Sequence, residues 1–483
     1  MASGIKGRVL RIADEVGFIT LKDSCRDTKL LCLQRFVRMY AFGISFLVLV
    51  DFLSSKSFTE SQIGLFMTLT LLGDVLVSLV LTSITDQVGR RRILLAGSGL
   101  MIASGVVFAA VDNYIVLLIA SIFGVISPTG NEIGPFRAVE QSVLAHLTDK
   151  SKHSDIFAWN ILIGTAGAAL GAVSSGLTVH VLENVLGSTK IFAYRIIFYE
   201  YAVAGGIKLF STMLLSKRVE VEPVKVPEPE SELELEQGLL SGEDDSDNDD
   251  ESNSANRPEV RPNARVPQKQ RTSLSGRLRS LLPSISPASR AILFRLVFLF
   301  FMDSFASGMA TSSWITYFFT TVHSLRPATL GVLFMITNIC ATLSNLFAVP
   351  LAKRLGPLKT MTFTHLPSAV FLAVMAIPPA SGAGTWIAMT FLTLRACTQS
   401  MDQAPRQAFL AAAVLPDERT AIMGFVNVVK TLAQSGGIGL AGVLADHKWW
   451  VVLFGGAGLL KISYDLLLLW MFLRVKDRVP AMN

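Results

Sequence analysis

The chain has 483 residues, 51% of them hydrophobic and only 17% charged, with a mean hydropathy of +0.50. A soluble protein of this length would carry roughly 25% charged residues, so an ordinary globular fold is excluded. The net charge of +6 does not point to nucleic acid, because excess Lys and Arg in a chain this apolar report membrane orientation.

Residues 1–33 are charged and mixed, with no cleavable signal peptide expected, and read as an N-terminal tail. Apolar stretches long enough to cross a hydrocarbon core roughly 30 Å thick then follow in series. A chain crossing lipid must satisfy its own backbone hydrogen bonds, so these are helices. Twelve spans are predicted, at 34–54, 61–84, 92–111, 114–147, 155–180, 191–216, 290–320, 327–351, 357–378, 384–413, 419–445 and 448–474. Spans 4 and 10 are interrupted by proline and polar residues in "GVISPTGNEIGPF" and "SMDQAPRQAF". The loops after spans 2, 4, 8 and 10 carry nine cations: Arg90, Arg91, Arg92, Lys150, Lys152, Lys353, Arg354, Lys359 and Arg419. The opposite loops carry four, Lys56, Lys190, Arg326 and Lys448, which places both termini in the cytoplasm.

The chain divides into a tail (1–33), a six-helix half (34–216), a linker (217–289), a second six-helix half (290–475) and a short tail (476–483). The linker passes from Pro/Glu-rich to acidic ("GEDDSDNDDES") to basic, a composition that predicts a disordered cytoplasmic spacer. The halves repeat. "SQIGLFM" at Ser61 matches "ATLGVLF" at Ala328, and Gly89 matches Gly356, both at an offset of 267. Asp149 matches Asp417 and Gly171 matches Gly439 at 268, and "AGGIKL" matches "AGLLKI", pairing Lys208 with Lys461. Two parallel halves imply a site between them and alternating access by rocking.

Polar residues inside spans are costly and mark a cavity or a partner. Arg38 in span 1 and Asp303 in span 7 fall at equivalent positions and are expected to bridge the halves. Span 4 offers Glu132, Arg137 and Glu140. In span 10, Arg395, Gln399, Asp402 and Arg406 recur at i, i+4, i+7 and i+11, one polar stripe on a single helix. Span 11 adds Asn427, Lys430 and Gln434. Asp303, Glu140 and Asp402 are candidate proton carriers. Lys208 and Lys461 are read as structural, Lys461 pairing with Asp465 four residues on. Asp74 in span 2 stands isolated. No nucleophile–base set, nucleotide loop or metal-ligand spacing is present, so neither an enzyme nor a cofactor or metal is expected, and the four cysteines carry no disulfide framework.

With Asp86, Gly89, Arg90, Arg91 and Arg92 in the loop after span 2, the chain resembles the major facilitator superfamily over all but the linker and tails. That family's motif there is Gly-x-x-x-Asp-Arg/Lys-x-Gly followed by three basic residues. Thr82 and Gln87 depart from it. The resemblance implies an all-α membrane protein of twelve transmembrane helices in two parallel six-helix halves. It also implies a conformational latch in which Asp86 meets the positive end of a helix of the other half. Helices 1, 4, 7 and 10 would line the cavity. The family's helix-4 signature, which begins with arginine, is absent, Ala120 standing at that place. The expected function is secondary active transport of a small charged or zwitterionic solute by a monomer in the lipid bilayer, with protons as the candidate coupling ion. A multidrug exporter and a transporter-like solute receptor are the alternatives; plasma and vacuolar membranes are both compatible.

Overall fold

The computed structural model describes residues 18–124, 126, 135–149, 152–220, 287–403, 405, 406, 409 and 419–473. The chain divides into two units, Met1–Glu220 with Ile285–Asn483, and Val221–Ser284, and every described residue falls in the first. The described residues form helices and connections, with no strand among them. In chain order the helices are α1 Phe18–Asp23, α2 Arg26–Ser55, α3 Glu60–Val88, α4 Arg90–Ala110, α5 Tyr114–Gly124, α6 Pro135–Leu147, α7 His153–His180 and α8 Lys190–Met213. The second half supplies α9 Pro287–Met309, α10 Ser312–Thr321, α11 Pro327–Leu355, α12 Pro357–Val374, α13 Gly382–Gln399, α14 Arg419–Asp446 and α15 Trp450–Leu473.

Three spans depart from a single helix. Span 4 is α5 and α6, with residues 127–134 between them outside the described residues. Span 7 breaks into α9 and α10, where the Thr311 hydroxyl accepts from the Trp314 N–H and starts the helix afresh. Span 10 stops at Gln399, with a turn at Ser400–Asp402 ahead of Pro405. A proline has no N–H and its ring clashes with the carbonyl four residues before it, here Met401, which accounts for the break.

The repeat is visible in packing. Lipid gives helices no hydrophobic reason to associate, so close contact through small residues decides which pairs meet. A Cβ on Gly43 of α2 would lie 2.3 Å from the Ala168 carbonyl of α7, and one on Gly308 of α9 would lie 2.1 Å from the Gln434 carbonyl of α14. A Cβ on Gly171 would lie 2.2 Å from the Tyr40 carbonyl, and one on Gly437 would lie 2.0 Å from that of Phe305. The packing partner of Gly171 in the repeat is therefore Gly437, not Gly439 as the sequence match has it. A shift of two residues is invisible to a match made on glycine alone.

The end of the bundle where α2 begins and α8 finishes is called here the near end, and the opposite one the far end. At the far end the halves share one apolar core, running from Phe52, Phe66, Phe108 and Phe198 to Trp314, Phe318 and Phe454. At the near end two separate clusters form, one around Leu31, Leu94, Val143 and Ile156, the other around Leu296, Phe300, Ile422 and Tyr464. Gly64 of α3 meets Gly442 of α14, a Cβ on Gly64 lying 2.7 Å from the Gly442 Cα. The symmetric contact joins α7 to α11, where a Cβ on Gly176 would lie 2.5 Å from the Pro327 carbonyl and one on Gly331 2.5 Å from that of Ala172. Among the described residues, every hydrogen bond between halves lies toward this end: Thr320 to Asp51, Tyr317 to Glu60 and Ser54, Ser61 to Asp446, and Thr68 to the Ser435 carbonyl.

Candidate translocation site

A buried charge in lipid is costly unless paired, and the two halves meet that cost with matching sets. In the first, Glu140 of α6 is held by Arg38 of α2 at 2.8 Å and by Lys208 of α8 at 3.0 Å. In the second, Asp303 of α9 is held by Lys461 of α15 at 2.7 Å and by Arg406 at 2.9 Å. The Lys461 ammonium also donates to Ser307 Oγ at 2.8 Å, and Arg406 pairs with Asp402 four residues before it. Each set draws on the first, fourth and sixth spans of its half. The signs on the first and fourth spans are exchanged between halves, while the lysine on the sixth is kept.

These contacts correct two sequence expectations. Arg38 and Asp303 do not bridge the halves; Arg38 finds its counter-ion on the fourth span of its own half, and Asp303 finds its counter-ions on the fourth and sixth spans of its own. Lys461 does not pair with Asp465 on its own helix. Lys208 and Lys461 are both buried and paired with a carboxylate of another helix, and Asp465 is taken instead by His365, whose Nδ1 lies 2.9 and 3.0 Å from its oxygens. The four-residue rule chose the wrong partner for Lys461 because α9 brings the buried Asp303 carboxylate within 2.7 Å of its ammonium, while Asp465 on the lysine's own helix is taken by His365. His365 was missed entirely. It lies in an apolar run, "MTFTHLPSAVF", and gives no periodic signal.

The remaining predicted residues divide. The polar stripe of span 10 is broken at Ser400, so Asp402 and Arg406 join the Asp303 cluster while Arg395 and Gln399 stay on α13, Gln399 exposed. Lys430 of α14 places its ammonium 5.4 Å above the Phe300 ring, which also takes the Arg406 guanidinium at 5.6 Å. Asn427, one turn before it, is exposed. Asp74 is buried, and its Oδ1 has no hydrogen-bond partner among the described residues. Glu132 and the side chains of Arg137 and Asp86 lie outside the described residues. The rest of the expected latch is tied to its own half and to the first residues of the linker. Gly89, at φ +100°, turns the chain so that the N–H groups of Arg90 and Arg91 reach Glu220 at 2.7 and 3.0 Å. Arg91 also donates to the Met213 carbonyl at 2.6 Å, and Arg92 reaches Val88.

Two pseudo-symmetric helical halves with charge held in the middle of their bundles define a polytopic membrane transporter. The chain belongs to the Major Facilitator Superfamily, matched over residues 31–326 and 293–481. It is 33% identical over 471 residues to the uncharacterized membrane protein YJR124C of Saccharomyces cerevisiae, covering 96% of this chain and 97% of that one. Its fold is similar to the nucleoside transporter NupG (TM-score 0.62, 14% identity, covering 94% and 100% of the two chains). It is similar also to the inward-open xylose transporter XylE from E. coli (TM-score 0.61, 12% identity, covering 92% and 95%). At these identities the solved structures speak for the fold alone.

Proposed function

We propose that this secondary transporter carries a small organic anion or zwitterion whose carboxylate or phosphate is received by Lys430 and Arg406. The observation that carries this reading is Lys430. Its ammonium lies, like the Arg406 guanidinium, against the Phe300 ring but has no carboxylate at ion-pair distance among the described residues. Arg406 presents a guanidinium already oriented by Asp303 and Asp402, a geometry suited to a planar or tetrahedral anion. Arg395, likewise without an ion pair among the described residues, would extend the cationic side on α13.

The shared core at the far end and the divided cores at the near end support a conformation open toward the near end. With the termini in the cytoplasm, as the distribution of loop cations supports, this is the inward-facing state. Rocking that separates the pseudo-symmetric contacts at Gly64 and Gly331 would expose the same cations to the other side.

The test is a thermal-shift screen on the purified protein in detergent, with succinate, glycerol 3-phosphate, glutamate, glucose and tetraphenylphosphonium as probes. A solute at 100 times its Kd adds about 2.7 kcal/mol of stability. Stabilisation by one of the first three, lost in Lys430→Gln, is expected. Stabilisation by tetraphenylphosphonium alone would replace this reading with a lipophilic-cation exporter.

A further inference from the structure

The acids expected to carry a coupling proton are each held by fixed cations: Glu140 by Arg38 and Lys208, Asp303 by Lys461 and Arg406, Asp402 by Arg406. One titratable group in the same network has no fixed cation of its own and faces two carboxylates. His365 of α12 has Nδ1 against Asp465 of α15, and its Nε2 points at Asp303 Oδ1 from 4.0 Å. That oxygen is the one Lys461 occupies at 2.7 Å. The ring is buried, with Tyr464 edge-on against it at 6.0 Å between centroids.

We infer that His365 is a proton-binding site that couples the anion site to pH, through competition of its Nε2–H with the cations that hold Asp303. An ionised Asp465 accepts from Nδ1, so the neutral ring carries its proton there and turns the Nε2 lone pair toward Asp303. In that form the lone pair and the carboxylate oxygen repel. One proton taken from water onto Nε2 reverses the contact: imidazolium now lies between Asp465 and Asp303. Asp303 then has a third cation, and Arg406 can leave Oδ2 for the carboxylate or phosphate of a solute while Asp402 keeps its guanidinium oriented. Proton and anion therefore favour each other's binding. Protonation also changes the charge of the cluster by one, which the entering anion restores.

The surroundings leave few other groups to do this. Helix α15 presents Asp465, Lys461 and Tyr464 to the imidazole, and α9 presents Asp303. The other helices packed on α12 carry Arg395 (α13) and Arg354 (α11), neither within hydrogen-bond distance of it among the described residues. The coupling to an anion rests on the proposed function; the protonation of His365 does not, and the two are tested separately.

The chain has six histidines. In protein labelled with 15N-histidine and held in lipid vesicles without solute, the resonance that disappears in His365→Gln should report a neutral ring with Nδ1–H at about pH 8, and an imidazolium at about pH 5, below the ordinary histidine range. A ring still neutral at the lower pH, or the Nε2–H tautomer at the higher, overturns the inference. If His365→Gln does not fold, Asp465→Asn serves: the same resonance should lose its Nδ1–H preference, and an unchanged spectrum overturns the assignment. In the second arm, succinate and glycerol 3-phosphate are titrated by thermal shift at about pH 5.5 and 7.5. Half-saturation roughly tenfold lower at the acid pH is expected, within the usual range of coupling between sites, with the pH dependence gone in His365→Gln. Binding that is equal at both pH values refutes the coupling. Binding of neither probe refutes the anion reading while the resonance still decides whether His365 takes the proton.

Discussion

At the scale of single residues, the two lysines of the sixth spans hold the clearest expectation. Removing one partner of a buried pair leaves an uncompensated charge, which costs about 3–5 kcal/mol. Lys208→Met and Lys461→Met should each lower the unfolding temperature in detergent by a margin of that size. The Lys208→Met loss should shrink in a Glu140→Gln background, because the carboxylate that needs the lysine is gone. Equal losses in both backgrounds would mean that the 3.0 Å contact carries no energy. Asp74 predicts the opposite sign: a buried carboxylate with an unpartnered oxygen is a cost, so Asp74→Asn should raise the unfolding temperature. Much of this was legible in the sequence as position and little of it as partnership. The recurrence of Lys208 at Lys461, and of Arg38 at Asp303, marked where charge enters the spans. Which carboxylate each cation meets depends on how helices are rotated toward one another, and a single strand of letters holds that only indirectly.

At the scale of helices, the far-end contacts are the ones a methyl group would test. A Cβ at Gly64 would stand 2.7 Å from the Gly442 Cα, and one at Gly442 would stand 2.6 Å from the Glu60 carbonyl and the Gly64 Cα. Backbone cannot yield as a flexible side chain can, so Gly64→Ala and Gly442→Ala should push α3 and α14 apart and favour the conformer open at the far end. Spin labels on the exposed far-end positions Leu186 and Ala383, with the native cysteines replaced, would read this as a longer distance distribution. Gly206→Ala, with nothing within 4 Å of the added carbon, is the control and should leave the distances alone. A Gly64→Ala protein with the wild-type distribution would refute the clamp. The sequence displayed Gly64 and Gly331 in its repeat, "SQIGLFM" against "ATLGVLF", because the same small residue serves the same crossing in each half. The breaks in spans 7 and 10 were harder to see. Hydropathy continues through Thr311 and Ser400, and only a cap or a downstream proline, whose effect depends on local backbone, ends the helix there.

At the scale of the whole molecule, the halves are joined at the far end through helix contacts and a common core, neither of which needs the chain to be continuous between them. The halves 1–220 and 285–483, produced together as separate chains, should therefore assemble and copurify from membranes. Where the first chain stops is not arbitrary. The 3₁₀ turn Lys217–Val219 is pinned by Asp27, which accepts from the Ser216 N–H at 3.0 Å and from its hydroxyl at 2.5 Å. Glu220 follows directly and accepts the first free N–H groups of α4 from Arg90 and Arg91. A carboxylate at a helix N-terminus adds both hydrogen bonds and favourable charge, together worth about 1 kcal/mol or somewhat more. Gly89 must stay small for the carboxylate to approach, since a Cβ there would lie 3.1 Å from a Glu220 oxygen, on a backbone whose φ of +100° already disfavours any side chain. Split proteins ending at 220 and at 219 should both assemble, but the shorter should unfold at the lower temperature, and Glu220→Gln in the intact chain should fall between them because it keeps one acceptor and loses the charge. Equal melting of all three would detach Glu220 from the stability of α4. Failure of the halves to copurify, with each inserted in the membrane, would mean that the far-end contacts are too weak to hold the transporter closed on that side without the covalent link.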